Sequence, residues 1–317
     1  MYDFIVIGSG TSGLSAAMYA ARLNLKTLII GEQPGGLITT THIVENWPGT
    51  VSISGPDLGM AFFEHAQKSG AEFKNEKAIS VEKKPASGGA SDGEGEGGGE
   101  IFSVKTASGE YEGKSLLFAT GTKHRSLDAP GIKEFENKGV SYCALCDGGF
   151  YKEKIVSVIG GGDSAAKEAL FLSEHASKVY IFVRKDILRA EPINQELIDK
   201  NDKIEIKFKT EIAEVLPDES GEKVGAVRTK DGDEIPMDAI FLAIGHIAQT
   251  ELVEDLGIEL NEKKEIKIDR HSATNIPGVF SAGDCTDTGF KQAITGSAEG
   301  VTAAYYAFKH VKEDSNF

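Results

Sequence analysis

Phe4-Ile5-Val6-Ile7-Gly8-Ser9-Gly10-Thr11-Ser12-Gly13 opens the chain, and Ile155-Val156-Ser157-Val158-Ile159-Gly160-Gly161-Gly162-Asp163-Ser164-Ala165 repeats its plan near the middle. In each segment a β-branched apolar run leads into a glycine-rich turn. An Ala-rich stretch with helical periodicity follows, Leu14 to Leu23 in the first and Ala166 to Leu172 in the second. A second apolar run then closes each segment, Thr27 to Ile30 and Val179 to Val183, so both read as strand, helix, strand. Glycines at a strand-to-helix turn let the backbone approach a pyrophosphate held at the helix N-terminus. A lone turn of this kind is weak, because glycine-rich turns occur in many loops. Here each follows a strand and opens a helix, which predicts an α/β chain with two Rossmann-like dinucleotide-binding domains.

Length and composition agree. The 317 residues suggest about two domains at roughly 100–200 residues each. With 40% hydrophobic and 26% charged residues, the chain can bury a substantial core and is not globally disordered. A formal charge of -15, from 34 basic and 49 acidic residues, argues against nucleic acid or an anionic membrane as partner, since both reward positive charge. Met1-Tyr2-Asp3 lacks the basic start of a secretory signal. No apolar run approaches the roughly 18 residues of a membrane span, and a cytoplasmic protein is expected.

Between the glycine-rich turns, Lys84 to Glu100 carries almost no apolar residues and cannot add to a core. Strands expected at Lys77 to Glu82 and Ile101 to Thr106 would make it an elongated mobile hairpin tip. Ser115 to Ala119 and Ala239 to Ala243 read as strands ending at Thr120-Gly121 and Ile244-Gly245. These are the expected crossings between domains. Residues 122–246 would then form one domain inserted into another made of residues 1–121 and 247–317.

Three cysteines are too few for a secreted disulfide scaffold, and Cys143-Ala144-Leu145-Cys146 forms a CxxC, which points to redox or metal chemistry. Two thiols so spaced meet on one face if the segment begins a helix, whose N-terminus favours the thiolate. A zinc site needs two further ligands. There is no second CxxC, Cys285 stands alone, and the seven His are scattered, so no metal is expected. Asp147 follows at once, and a carboxyl beside the dithiol either exchanges protons with it or caps the Cys-Asp-Gly turn. Cys285 reads as a small buried residue.

Taken in order, these landmarks resemble the bacterial and archaeal low-molecular-weight thioredoxin reductases of the pyridine nucleotide-disulfide oxidoreductase family. The likeness spans nearly the whole chain. It includes Gly35-Gly36 with Thr39-Thr40-Thr41, Val44-Glu45-Asn46-Trp47-Pro48-Gly49, Ala119-Thr120-Gly121, Ala243-Ile244-Gly245-His246 and Gly278-Val279-Phe280-Ser281-Ala282-Gly283-Asp284. The resemblance implies two three-layer ββα domains, the NAD(P)H domain inserted into the FAD domain. It places Gly8, Ser9, Gly10, Thr11, Ser12 and Gly13 around the FAD pyrophosphate and Gly31, Glu32 and Gln33 at the adenosine end. An acidic residue about 20 positions past the turn suits the ribose hydroxyls, and Glu32 is the candidate. Gly36, Leu37, Asn46, Thr120, Gly121, Gly283, Asp284, Lys291, Gln292 and Ala293 complete the implied FAD site. Leu37 stands where a Gln is common and Lys291 where an Arg is, so the flavin's local hydrogen bonding is expected to depart from the family pattern there.

The same resemblance makes Cys146 the sulfur next to the flavin and Cys143 the one that attacks a protein disulfide. Gly160, Gly162, Asp163, Ser164, Ile244 and Gly245 would hold the nicotinamide cofactor, with Glu168 either beside the nicotinamide or at the surface. Family members that use NADPH commonly carry His-Arg-Arg and a further Arg after the second strand. This chain has Val183-Arg184-Lys185 and Arg189, either a solvated basic turn or a 2′-phosphate site. Positive charge at three positions favours NADPH, although Lys binds phosphate as a point charge, and NADH is the other choice. The resemblance also implies thioredoxin or a thioredoxin-like protein as partner, a homodimer, and rotation of the inserted domain about the two glycine crossings. The same build also suits a glutaredoxin-like or peroxidase-linked partner, or a dithiol oxidase. A non-catalytic, FAD-binding redox sensor is the reading from another class.

Overall fold

The computed structural model describes residues 1–85 and 100–313. The glycine-rich stretch 86–99, with the hairpin tip expected there, lies outside them. The chain forms two compact units, Met1–Lys123 with Ala248–Phe317, and His124–Ile247. Its helices are α1 (Thr11–Arg22), α2 (Gly55–Lys68), α3 (Ala144–Asp147), α4 (Asp163–Ser173), α5 (Pro192–Asp199) and α6 (Ala293–Glu313). Among the described residues, no helix is long and apolar enough to cross a membrane.

In the first unit, parallel strands lie in the order Glu72–Lys74, Thr27–Ile30, Tyr2–Ile7, Glu110–Phe118 and Val279–Ser281. Side chains alternate across a strand, and the sequence uses both faces. Phe4, Val6, Ile29, Leu117 and Phe280 pack under the alanines of α1 and α6. Their neighbours Ile5, Ile7, Leu28, Leu116 and Val279 face the other way, against Val81, Phe102 and Val104 of an antiparallel layer. Burial on both faces explains the unbroken apolar runs, and each such side chain contributes about 1.5–3 kcal/mol.

The second unit repeats the plan. Its parallel strands run Ile204–Phe208, Lys178–Val183, Ile155–Ile159, Ala239–Leu242 and Val140–Ser141. Val156, Val158, Val179 and Ile181 pack on Ala165, Ala166, Ala169 and Leu172 of α4. Ile159, Phe182, Ile240 and Leu242 pack on Val215, Val224 and Val227 of the antiparallel strands Ile212–Pro217 and Val224–Thr229. Each unit is therefore a helical layer on a parallel sheet with antiparallel strands on its other face; in the first unit Ser80–Pro85 and Glu100–Lys105 continue the same sheet from Glu110–Phe118, and in the second the antiparallel strands form a sheet of their own.

Some boundaries differ from those read in the sequence. The hairpin strand runs Ser80–Pro85 rather than 77–82, and it pairs with Glu100–Lys105. Lys83 pairs with Glu100 at 2.6 Å, and Lys84 with Glu110, so ionic contacts carry the ladder past its apolar residues. The helices begin at Thr11 and Asp163, ahead of the Ala-rich stretches, because the polar residues after each glycine turn form the first helical turn. The strand expected from Ser115 starts earlier, at Glu110.

At the end of each central strand a glycine meets the strand beside it. A Cβ on Gly8, whose φ is +118°, would stand 2.1 Å from the carbonyl oxygen of Ala119, and one on Gly160 would stand 2.3 Å from that of Ala243. Backbone cannot yield as a side-chain tip can. Gly8→Ala is expected to cost the first unit on the order of 2–4 kcal/mol and to weaken flavin retention. A thermal melt of the variant showing no loss would contradict the close approach.

Candidate active site

The first glycine turn leads into α1 with Gly10 as its N-cap and no side-chain cap, which leaves the amide groups of the first turn for a ligand. The segment from Gly31 to Gly36 lies against this turn. Gly35 N donates to Ser9 O at 2.8 Å, and Ser9 Oγ donates to Gln33 O at 2.8 Å. Glu32 is exposed there, while the Gln33 amide donates to Thr39 Oγ1 at 2.7 Å. Leu37 is half-buried in the 3₁₀ turn Gly36–Thr40.

Residues far apart in sequence join this face of the unit. Asn46 Nδ2 donates to Gln292 Oε1 at 3.0 Å, next to Ala293, the first residue of α6. Gly283, at φ +82°, donates its N–H to Glu299 Oε2 at 2.7 Å. Burial pushes the Asp284 carboxyl above its ordinary pKa, with Lys291 pulling the other way. Lys291 pairs with Glu265 and donates to the Asp284 carbonyl oxygen at 2.8 Å, so it fixes the backbone of Asp284. Thr120 Oγ1 donates to Gln249 O at 2.6 Å, Gln249 Nε2 donates to Thr120 O at 2.8 Å, and Gly121 takes φ +63°.

In the second unit, α4 likewise starts at a glycine, Gly162, without a side-chain cap. Arg189 N donates to Gly161 O at 2.8 Å, and Leu188 is buried, which folds the basic loop back onto the turn. Arg184, Lys185 and Arg189 are exposed, and no ion pair engages them among the described residues. Asp163 faces the protein. Its Oδ1 accepts from Glu191 N at 2.9 Å and Asn194 Nδ2 at 2.8 Å, and its Oδ2 pairs with Lys167 at 2.8 Å. Burial works to raise its pKa, but these contacts outweigh it and hold the carboxyl below the usual value. Ser164 and Gly245 are exposed, Ile244 is half-buried, and Gly245 takes φ +98°. Glu168, one turn into α4, has a buried Oε2 with no hydrogen-bond partner among the described residues, and burial pushes its carboxyl from 4.5 up to about 8.

Cys143 and Cys146 are joined as a disulfide with their Cα atoms 5.3 Å apart. The helix expected to activate them is a single turn, α3, with Cys143 as its N-cap, too short for much of a macrodipole. The direct contact is the Cys146 N–H, which donates to Cys143 Sγ at 3.1 Å. Ser141 supports both partners of the centre: its hydroxyl donates to Asp147 Oδ2 at 2.6 Å and accepts from Cys143 N at 3.1 Å. Cys285 is fully buried in the first unit, near the Phe118 and Ala282 carbonyls.

The sequence pattern of the family described as pyridine nucleotide-disulphide oxidoreductase matches residues 2–300. A thioredoxin reductase of Listeria innocua is 38% identical over 99% of this chain and 95% of its own length. The crystal structure of Lactococcus lactis thioredoxin reductase covers 99% of this chain and 100% of its own, at 37% identity and a TM-score of 0.89. That of T. acidophilum thioredoxin reductase covers 97% and 98%, at 33% identity and a TM-score of 0.87. The chain belongs to the pyridine nucleotide-disulphide oxidoreductases. Within that family, thioredoxin reductases use FAD and NADPH, and the Cys143–Cys146 bond fits the redox-active disulfide of such an oxidoreductase.

The structure fits the two dinucleotides of this family. Two helices begin at glycine turns without side-chain caps, which suits two pyrophosphates. Glu168 carries a buried polar atom that has no partner among the described residues, an environment that a bound polar group would complete. Sequence reasoning does not single out Ser141, Gln249 or Glu299; Gln249 and Glu299 meet their partners only through the fold, whereas Ser141 lies two residues before Cys143 and six before Asp147, a local spacing that could have found it.

Glu168 gives a pH-dependent test. Its raised pKa means that the folded chain holds this proton more tightly than the unfolded chain, so stability falls as pH rises between 4.5 and about 8. Glu168→Gln removes the charge and keeps the shape. It should match wild type near pH 4 and exceed it by up to a few kcal/mol above pH 8, in melts of FAD-loaded protein without nicotinamide. Equal pH dependence in both proteins would show that Glu168 is not held in this way.

Proposed function

We propose that the chain is a cytoplasmic thioredoxin reductase that uses NADPH to reduce the disulfide of thioredoxin or a thioredoxin-like protein. The observation that carries this reading is the Cys143–Cys146 disulfide in a chain with two uncapped glycine-turn helices. The first turn, Gly8 to Gly13, would hold the FAD pyrophosphate on the amides that open α1, with Glu32 near the ribose and Asn46, Asp284 and Gln292 at the flavin end. The second turn, Gly160 to Gly162, would hold NADPH. Arg184, Lys185 and Arg189 would meet its 2′-phosphate and Glu168 the nicotinamide side. Bound FAD supplies the two-electron relay between a nicotinamide and a disulfide.

Once Cys143 and Cys146 are reduced, the chain's own residues complete the exchange. The Cys143 thiolate attacks one sulfur of the partner's disulfide, forming a mixed disulfide and expelling the other sulfur as a thiolate. Cys146 then attacks Cys143 Sγ, which re-forms the internal bond and releases the second partner thiolate. Two electrons pass to the partner. Asp147, whose carboxylate accepts from the Ser141 hydroxyl, would exchange protons with the dithiol as these charges form. A homodimer belongs to the same reading, and sedimentation velocity of the FAD-loaded protein checks it.

With purified thioredoxin and NADPH, wild type should turn over. Cys146→Ser should lose at least about a hundredfold in that assay while still oxidising NADPH with a one-electron acceptor such as ferricyanide. Protein disulfide reduction by Cys146→Ser at the wild-type rate would refute the route.

A further inference from the structure

The basic loop after strand Lys178–Val183 is tied to the fold at both ends. It leaves the sheet where Thr210 N donates to Val183 O and Lys209 N to Lys185 O, each at 3.1 Å. It comes back where Arg189 N donates to Gly161 O at 2.8 Å. Its far end then meets a carboxylate on another helix. Asp163 Oδ1 accepts from Glu191 N at 2.9 Å and from Asn194 Nδ2 at 2.8 Å. One oxygen atom thus ties the first turn of α4 to the end of the loop and to the first turn of α5.

Asp163 also sits where a negative charge is awkward. It opens the helix whose N-terminus is left for a pyrophosphate, and an unpaired carboxylate there would compete with the ligand. Lys167 pairs with Oδ2 at 2.8 Å, so both oxygens are engaged with protein. This arrangement gives Asp163 a positioning role in place of direct contact with the nucleotide.

We infer that Asp163 is the positioning residue for nicotinamide selectivity, clamping the Arg184–Arg189 loop against the second glycine turn so that its charges meet a 2′-phosphate. The inference rests on the proposed reading of Arg184, Lys185 and Arg189 as the phosphate site. Cutting the clamp leaves all three charges and the Arg189–Gly161 bond in the chain and releases the loop's far end at Glu191 and Asn194, so that the Arg189 side is held by one backbone bond in place of three contacts. The loss therefore falls on the one group that distinguishes NADPH from NADH.

The test measures NADPH and NADH oxidation by the FAD-loaded protein with ferricyanide as acceptor, which keeps the disulfide partner out of the assay. Asp163→Ala should raise the NADPH KM about tenfold while kcat and the NADH KM stay within about twofold. Asp163→Asn keeps an oxygen acceptor for both loop-side donors and should restore most of the selectivity. Equal rises for both nucleotides, no rise at all, or failure of Asn to rescue would overturn the inference. Should Asp163→Ala not accumulate, Asn194→Ala removes one of the two donors and should give the same NADPH-specific rise at about threefold; no such rise would equally overturn it. Arg184→Ala and Arg189→Ala separate the two failures. If they leave the NADPH-to-NADH ratio at the wild-type value, the phosphate reading fails and the inference with it. If they collapse the ratio while Asp163→Ala does not, only the clamp fails.

Discussion

A carbonyl oxygen stands where a side chain would begin at the end of the central strand in each unit, Ala119 O against Gly8 and Ala243 O against Gly160. Much of the site depends on that contact. A residue without Cβ lets the strand turn directly into a helix, and the turn ends in Gly10 or Gly162 with no side chain to cap that helix. The open amides are what a pyrophosphate needs. One residue further along the neighbouring strand come Thr120-Gly121 and Ile244-Gly245, with both glycines at positive φ, where the chain heads for the other unit. In both units the uncapped helix start and the change of unit, at Lys123/His124 and at Ile247/Ala248, thus lie within a few residues of one glycine–carbonyl contact.

The chemistry adds little to this frame. A disulfide closed within a one-turn helix has few supports, and the structure supplies them through Ser141, whose hydroxyl touches both the Cys143 amide and the Asp147 carboxylate. The glycine turns offer backbone atoms rather than side chains at the two helix starts, so their side chains need only be small. Longer side chains at the sites act mostly on other protein groups. Lys291 holds the carbonyl of Asp284, Gln249 holds Thr120, and Asp163 holds Glu191 and Asn194.

That division explains what is legible in the sequence. The turns at Gly8 and Gly160, the apolar strands beside them and the CxxC are local patterns, and each carries its reason in adjacent residues. The double-faced burial of the strands is readable from unbroken runs such as Phe4 to Ile7. Asp163 is only half readable: Lys167 lies one turn on in the same helix, but the donors to its other oxygen, at residues 191 and 194, arrive only when α5 packs on α4. The strand at Ser80–Pro85 departs from its sequence pattern because cross-strand pairs such as Lys83 with Glu100 extend it, and ion pairs leave no periodic signal. The CxxC spacing says that the segment begins a helix but not how it continues: the α-helical turn ends at Asp147 and passes directly into a 3₁₀ helix at Gly148–Tyr151.

The central claim is that the Cys143–Cys146 bond is the destination of electrons drawn from the nicotinamide. Anaerobic titration of the FAD-loaded protein with NADPH, followed by flavin absorbance and by labelling of free thiols, addresses it directly. Wild type should consume more hydride than its flavin alone can hold and should expose thiols at residues 143 and 146, whereas Cys143→Ser/Cys146→Ser should stop at the flavin. Full bleaching of the wild-type flavin with the disulfide still closed would contradict the account.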